Sequence, residues 1–497
     1  MNKLATILKD CSEFTVTENG ADARSTTKSY VLDLFSSIGA LRERVWAEVE
    51  DLVRNAMAEN KELTLKTIFH CRDIRNGLGE RKVFRGILKL LAKEYTEDLV
   101  RNIKYIPEFG RWDDLYVFFK YKTCNSVKEA VSDFIRKQFY KDLEEMEKGK
   151  PVSLLAKWLK SVNTSSEESV DLAKKTATVL MLPIPEYRKK LAALRRHIKV
   201  TEVSMSSNKW GDIEYDKVPS KAMMTYHKAF KKHDLARFDG YLNDVKNGKK
   251  KINSSVLYPS DFYKKAKAGY NETTELQWKS LPDYINEGMN VLPLVDVSGS
   301  MFNPDEKPIA NSVCLGIYLA ERNKSVFKDL LVTFSKNPEI INISKCKTFY
   351  DKLQKVQSSP WGFNTDLLKA FELILDIAIK NNVRKEDMIN CIVVISDMQI
   401  DSADMSLSGN SKRSYEDFTT TIKKKYEQFG YTLPIIVYWN VNSTRDTFHA
   451  HANTENVILV SGSSTTAFKN LTSAVNGVTP YEAMLKVLNS ETYAMIK

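Results

Sequence analysis

The stretch Val291-Leu292-Pro293-Leu294-Val295-Asp296-Val297-Ser298-Gly299-Ser300 decides the fold of half the chain. An apolar run of strand length that ends in Asp, Ser and Gly reads as a strand buried on both faces and leading into a tight turn. A helical stretch over about 309–322 follows it. LLVTF (330–334), INIS (341–344), CIVVIS (391–396), LPIIVYW (433–439) and VILVS (457–461) read as further short strands. Helices are expected around 366–380, 415–429, 465–475 and 480–490. Strands alternating with helices predict an α/β, doubly wound, mostly parallel sheet over residues 289–497. Such sheets bind ligands beyond the carboxyl ends of their strands, which directs the search to the loops after 295, 395 and 439.

The first of these loops alternates a carboxylate and two hydroxyls. Asp296, Ser298 and Ser300 share one side, Val297 turns away, and Gly299 lets the backbone bend sharply. Converging hard oxygens suit Mg²⁺, which takes octahedral oxygen ligands and keeps some waters. Thr365, in WGFNTD, adds a hydroxyl where the 366–380 helix opens, and Asp397 ends CIVVISD, the best strand of the domain. Ser, Thr and Asp at strand-to-helix junctions also serve as caps and turn formers. Capping, however, does not require three separated junctions to agree.

Residues 1–288 follow a different grammar. In ALRERVWAEVEDLVRNAM, Val45, Val49, Leu52, Val53 and Ala56 recur at helical spacing, and FRGILKLLAKEY, VSDFIRKQFYKDLEEME and SLLAKWLKSV repeat the pattern. Serial amphipathic helices predict an all-α, HEAT-like helical-repeat module. The net charge of +11 lies wholly in this part, because residues 289–497 carry 22 Lys and Arg against 22 Asp and Glu. Residues 181–251 alone hold 17 basic and 8 acidic residues. A local basic excess is the footprint of a polyanion partner, with a solvated charged face as the plain alternative. On EYRKKLAALRRHI (186–198), Arg188, Arg195 and Lys199 form a column beside the apolar stripe, and Lys189 and Arg196 lie nearly opposite that stripe. On SKAMMTYHKAFKKHD (220–234), Ala222, Tyr226, Ala229 and His233 are expected to be buried, and Lys221, Lys228 and Lys232 to form a second column. Cations spaced by helical turns suit a phosphate backbone. His197 and His227 are expected near these columns, with His227 among the residues that meet the polyanion. Trp112, Trp158 and Trp210 read as core rather than as base-stacking platforms, although the polar setting of Trp210 suggests partial exposure. Arg72, Arg75, Arg81 and Lys82 around RNGLGER make a weaker patch, since Asp73 and Glu80 offer local partners.

Asp-x-Ser-x-Ser after a first strand, a Thr opening a middle helix and an Asp after a later strand together resemble the metal-ion-dependent adhesion site of von Willebrand factor A domains. The resemblance implies Asp296, Ser298 and Ser300 as a first ligand set, Thr365 direct or through water, and Asp397 through water. It also implies an acidic group from a protein partner at the open metal position. TENGA (17–21), FHCRDIRNGLGER (69–81), PEFGRWDDL (107–115), EYRKKLAALRRHI and VPSKAMMTYHKAFKKHD (218–234) resemble the helical TROVE module of the Ro autoantigen family. In that family the module closes into a ring and is fused to a C-terminal A domain. The resemblance covers most of the chain and implies a module at 1–288, an A domain at 289–497, and small structured or single-stranded non-coding RNA as ligand. It lies toward the divergent branch of plants, bacteria, phages and giant viruses.

Composition bounds the rest. At 43% hydrophobic and 10% aromatic, the chain can bury large cores, which excludes a wholly disordered or collagen-like protein. No apolar run is long enough for a membrane helix, and MNKLATILKDCSEF lacks a signal-peptide core. The 6 cysteines are scattered without a CxxC pair, so reduced thiols in a monomeric cytoplasmic protein are expected. There is no P-loop, no GxSxG elbow and no HExxH, and Ser298 and Ser300 have no nearby His in sequence, so no enzymatic activity is expected. The competing reading is a scaffold that docks partners through the metal site. A Mg²⁺-dependent nuclease using Asp401 and Asp404 ranks lower; those residues lie in DSADMSLSGNSKRS (401–414), which reads as a partner-gating loop.

Overall fold

The structure is a computed structural model and describes residues 14–18, 22–121, 123–285, 290–303, 305–334, 338–361, 367–400, 418–471 and 477–497. The N-terminal region is helical and the C-terminal region is a mixed α/β sheet. The chain forms two compact units. One comprises Met1–Thr67, Asn76–Leu78 and Leu257–Thr492; the other comprises Ile68–Arg75, Gly79–Val256 and Tyr493–Lys497.

The helical reading of the first part misses one short antiparallel pair, β1 (Phe14–Val16) with β2 (Asp22–Arg24). Two helices show how far the apolar periodicity holds, although Val45, just ahead of the first, is exposed. Helix Trp46–Glu59 buries Val49, Leu52, Val53, Ala56 and Met57. Helix Asn125–Glu147 buries Val127, Val131, Ile135, Phe139 and Leu143, a spacing of about one turn per residue that keeps all five on one stripe. Polar residues start the helices where the chain leaves an extended segment. Ser166 accepts from the Ser169 N–H and Asn271 from the Thr274 N–H, each satisfying an amide that the helix itself leaves unpaired.

The sheet runs in the order β5-β4-β3-β6-β7-β8, with β3 at Val291–Asp296, β4 at Leu330–Phe334, β5 at Glu339–Asn342, β6 at Cys391–Ser396, β7 at Ile435–Asn440 and β8 at Val457–Ser461. All neighbours are parallel except β4 and β5, which form an antiparallel edge. The edge strand begins two residues before the INIS reading, because Leu330↔Asn342 through Thr333↔Glu339 set its register from the hairpin. On one face Leu292, Leu294, Ile392, Val394, Ile436 and Tyr438 pack with Leu367, Phe371, Ile422 and Tyr426 of two helices. On the other, helix Lys307–Arg322 lies so close to β3 that a Cβ at Gly316 would sit 2.2 Å from Val295 Cγ2. Both faces are therefore covered, as continuous apolar strands require. A helix the sequence reading passed over, Phe349–Gln357, begins with a capping box between Thr348 and Asp351.

Candidate metal centre and cationic helix faces

β3 and β6 are neighbours at the centre of the sheet, and their register runs from Val291↔Cys391 to Val295↔Ile395. Their carboxyl ends are therefore level, which brings Asp296 beside Ser396 and sets Asp397 one residue beyond. This is the point where the strand order reverses, the place where open α/β sheets form ligand crevices.

Asp296 is fully buried. One of its oxygens accepts the Ser298 N–H at 2.9 Å and the other accepts the Ser396 hydroxyl at 2.5 Å. The Ser298 and Ser300 hydroxyls lie 3.2 Å apart, and the Ser300 side chain hydrogen-bonds to Asp397. Asp397 also accepts the Gln399 N–H at 3.1 Å. Both carboxyls are pushed above the ordinary range. Burial is the main cause for each, reinforced for Asp296 by the charge of Asp397 and for Asp397 by that of Glu18. Two buried carboxylates facing one another are electrostatically expensive without a cation, and two hydroxyls beside them complete a hard-oxygen donor set that suits Mg²⁺. Among the described residues no group of three or more His, Cys, Asp and Glu converges, so the hydroxyls are essential to such a site. Thr365 and the 401–414 loop, with Asp401 and Asp404, lie outside the described residues.

Ser396 was not singled out from the sequence. Its role follows from strand register, which the matching lengths of VLPLVD and CIVVIS hinted at. The segment after it is held firmly. Met398 takes φ +63, a conformation that costs a non-glycine residue energy unless its surroundings enforce it. Here the Met398 carbonyl lies 3.2 Å from His449 Nε2, the Thr17 hydroxyl donates to the Ile400 carbonyl at 2.5 Å, and the Glu18 N–H donates to Gln399 Oε1 at 2.9 Å. The β1–β2 pair is thus attached beside the segment after Asp397, with Arg24 and Phe448 exchanging two backbone hydrogen bonds of 2.9 Å and Glu18 paired to Arg445 at 3.2 Å.

The helix Ile184–His197 buries Tyr187, Leu191 and Leu194. Arg188, Lys189 and Arg196 are exposed and make no ion pair among the described residues. Arg195 behaves differently from its neighbours in the column. Its guanidinium is half-buried and donates to the Ala156 carbonyl at 3.0 Å and the Leu159 carbonyl at 2.6 Å. Lys199 is exposed and paired with Glu214 at 2.9 Å.

On helix Ser220–His233 the buried residues are Ser220, Met223, Met224, His227 and Phe230. The expected face of Ala222, Tyr226, Ala229 and His233 is therefore displaced by one position. Met223, Met224 and Phe230 offer far more apolar surface than the alanines, and the larger side chains win the interior. His227 is consequently inside, with Nδ1 3.0 Å from the Met224 carbonyl, while His233 is exposed. Lys221, Lys228 and Lys232 are exposed. In the RNGLGER region, Arg72 is buried against Asp114 at 2.8 Å, and not against the local carboxylates. Trp112 and Trp158 are half-buried, and the Arg111 guanidinium covers the Trp158 ring at 3.9 Å.

Fold and site together define a protein with a helical N-terminal region and a C-terminal α/β sheet that gathers two carboxylates and two hydroxyls at its switch point. The chain belongs to the family described as a domain of unknown function, DUF2828, whose model matches residues 17–130 and 152–289. Residues 290–488 match a second domain of unknown function, DUF7788. The chain is 25% identical to the uncharacterized protein L728 of Acanthamoeba polyphaga mimivirus, over 96% of this chain and 89% of the relative. Among solved structures it is similar to the Ro (RSR) protein of Deinococcus radiodurans, with a TM-score of 0.34 and 15% identity over 92% of this chain and 93% of that one.

Proposed function

We propose that this is a non-enzymatic RNA-binding protein that also docks a protein partner through a divalent cation. The observation that carries the RNA reading is the set of exposed cations on helix Ile184–His197: Arg188, Lys189 and Arg196 have no carboxylate partner among the described residues. They lie in the segment with 17 basic against 8 acidic residues. Unpaired cations at helical spacing favour binding by releasing the condensed counterions of a nucleic acid. The motifs that resemble the TROVE module favour small structured or single-stranded non-coding RNA as that polyanion.

Asp296, Ser298, Ser300 and Asp397 would hold Mg²⁺, with Thr365 as a further candidate ligand. A bound cation would supply a Lewis-acidic position for a carboxylate oxygen of the partner. The protein's own residues orient the donor set: Ser396 and the Ser298 amide fix the two oxygens of Asp296.

The test is purification at moderate salt followed by sequencing of any RNA that survives, alongside Asp296→Ala. A discrete set of small RNAs released by high salt supports the reading. Asp296→Ala is expected to abolish Mg²⁺-dependent partner binding and leave RNA binding intact. Nucleic-acid-free protein that also ignores added RNA would overturn the RNA reading in favour of a scaffold.

A further inference from the structure

The basic segment carries an aromatic pair that the cationic columns do not explain. Trp210 and His233 are stacked with ring centroids 4.4 Å apart and planes inclined by 4°. Trp210 is half-buried and His233 is exposed, and the indole covers one face of the imidazole. Trp210 is held by its neighbours. Trp210 Nε1 donates to Asn208 Oδ1 at 2.6 Å, with Asn208 at φ +56. Arg237 donates to the Trp210 carbonyl at 3.0 Å and the Ile213 carbonyl at 2.8 Å, and is itself paired with Asp234 at 2.8 Å. The same Arg237 guanidinium lies over the Tyr215 ring at 5.5 Å, and Tyr215 meets the rings of Phe230, Phe238 and Tyr241. A ring fixed in this way loses little freedom when another ring settles on it.

The surroundings select the occupant. Lys228 and Lys232, one turn apart on the helix that ends in His233, are exposed and unpaired among the described residues. Lys231 is paired with Asp239 at 3.7 Å, and Asp212 is the carboxylate of the Trp210 turn. A flat ring on the same helix as two unpaired cations, within two turns of it, suits a base whose backbone phosphates reach around the helix.

We infer that the outer face of His233, backed by Trp210, is a stacking platform for an unpaired RNA base, with Lys228 and Lys232 meeting the flanking phosphates. This inference rests on the RNA reading and adds a base contact to it.

The test measures binding of a labelled oligouridine, and of the same sugar-phosphate chain lacking bases, by fluorescence anisotropy across a salt series with the full chain. His233→Ala is expected to weaken oligouridine binding about tenfold, in keeping with one lost stack. It should leave the salt slope and the abasic affinity unchanged, and His233→Phe should restore binding. Lys228→Ala with Lys232→Ala should lower the slope for both oligomers. Wild-type protein that binds oligouridine while His233→Ala binds it equally well overturns the platform alone. So does an equal loss on both oligomers, or failure of His233→Phe to restore binding. Wild-type protein that binds neither oligomer overturns the RNA reading together with the platform.

Discussion

Replacing Arg188, Lys189 and Arg196 together by alanine tests whether the exposed face of helix Ile184–His197 meets phosphate. None of the three has a carboxylate partner among the described residues, so their loss breaks no ion pair and the helix keeps its buried stripe. Each phosphate contact on a single strand contributes about 0.7 to the slope of log affinity against log salt, so losing three lowers the slope by about 2. Between about 50 and 200 mM salt, the wild-type affinity should then fall about 20-fold more than that of the variant. Arg195→Ala is the internal control. Its guanidinium serves the carbonyls of Ala156 and Leu159, and stranding those acceptors costs about 1–3 kcal/mol of stability. It should shift the denaturation midpoint without moving the slope. Anisotropy titrations with a tailed small RNA at several salt concentrations, alongside urea unfolding, separate the two effects. An unchanged slope in the triple variant, or a slope change confined to Arg195→Ala, would refute the assignment of this face.

Three further outcomes follow from particular contacts. Gly316→Ala gains about 1 kcal/mol of helix propensity but forces a clash with Val295, for which overpacking costs about 1–3 kcal/mol, so a net loss of stability is expected. Val295→Ala in the same chain should recover it, and a Gly316→Ala variant with an unshifted urea midpoint would show that the helix has room to move. Asp296→Asn should remove divalent-cation binding in calorimetry and the associated rise in melting temperature; an intact Mg²⁺-dependent rise would move the site elsewhere. Burial lowers the His70 pKa from 6.5 to about 4, so the unfolded chain binds more protons than the folded one between these values. Stability conferred by neutral His70 is therefore full above pH 6.5 and is lost as pH falls toward 4, by up to about 3 kcal/mol at 1.36 kcal/mol per unit. His70→Gln should flatten acid unfolding over that window, and an unaltered profile would assign the acid sensitivity to other groups.

Much of this molecule is written in local patterns. VLPLVDVSGS and CIVVISD declare buried strands that end in oxygen donors, because apolar runs of strand length followed by Asp, Ser and Gly have few other stable uses. Helical period alone points to Tyr187, Leu191, Leu194 and Ile198 as one stripe, of which the first three are buried and Ile198 is half-buried, and the charge asymmetry needed only counting. Other features depended on neighbours distant in sequence. Ser396 reaches Asp296 through the register of β3 against β6, and Arg195 is turned inward by two carbonyls nearly forty residues away. His227 and His233 exchange places because Met223, Met224 and Phe230 compete better for the interior than Ala222 and Ala229. The attachment of the β1–β2 pair beside Asp397 spans more than 380 residues. Periodicity and composition are properties of short windows, so the chain alone sets which elements form and which side chains carry charge or oxygen. Which of those side chains meet, and which remain free for a ligand, is settled only when non-local packing and strand register exclude the alternatives.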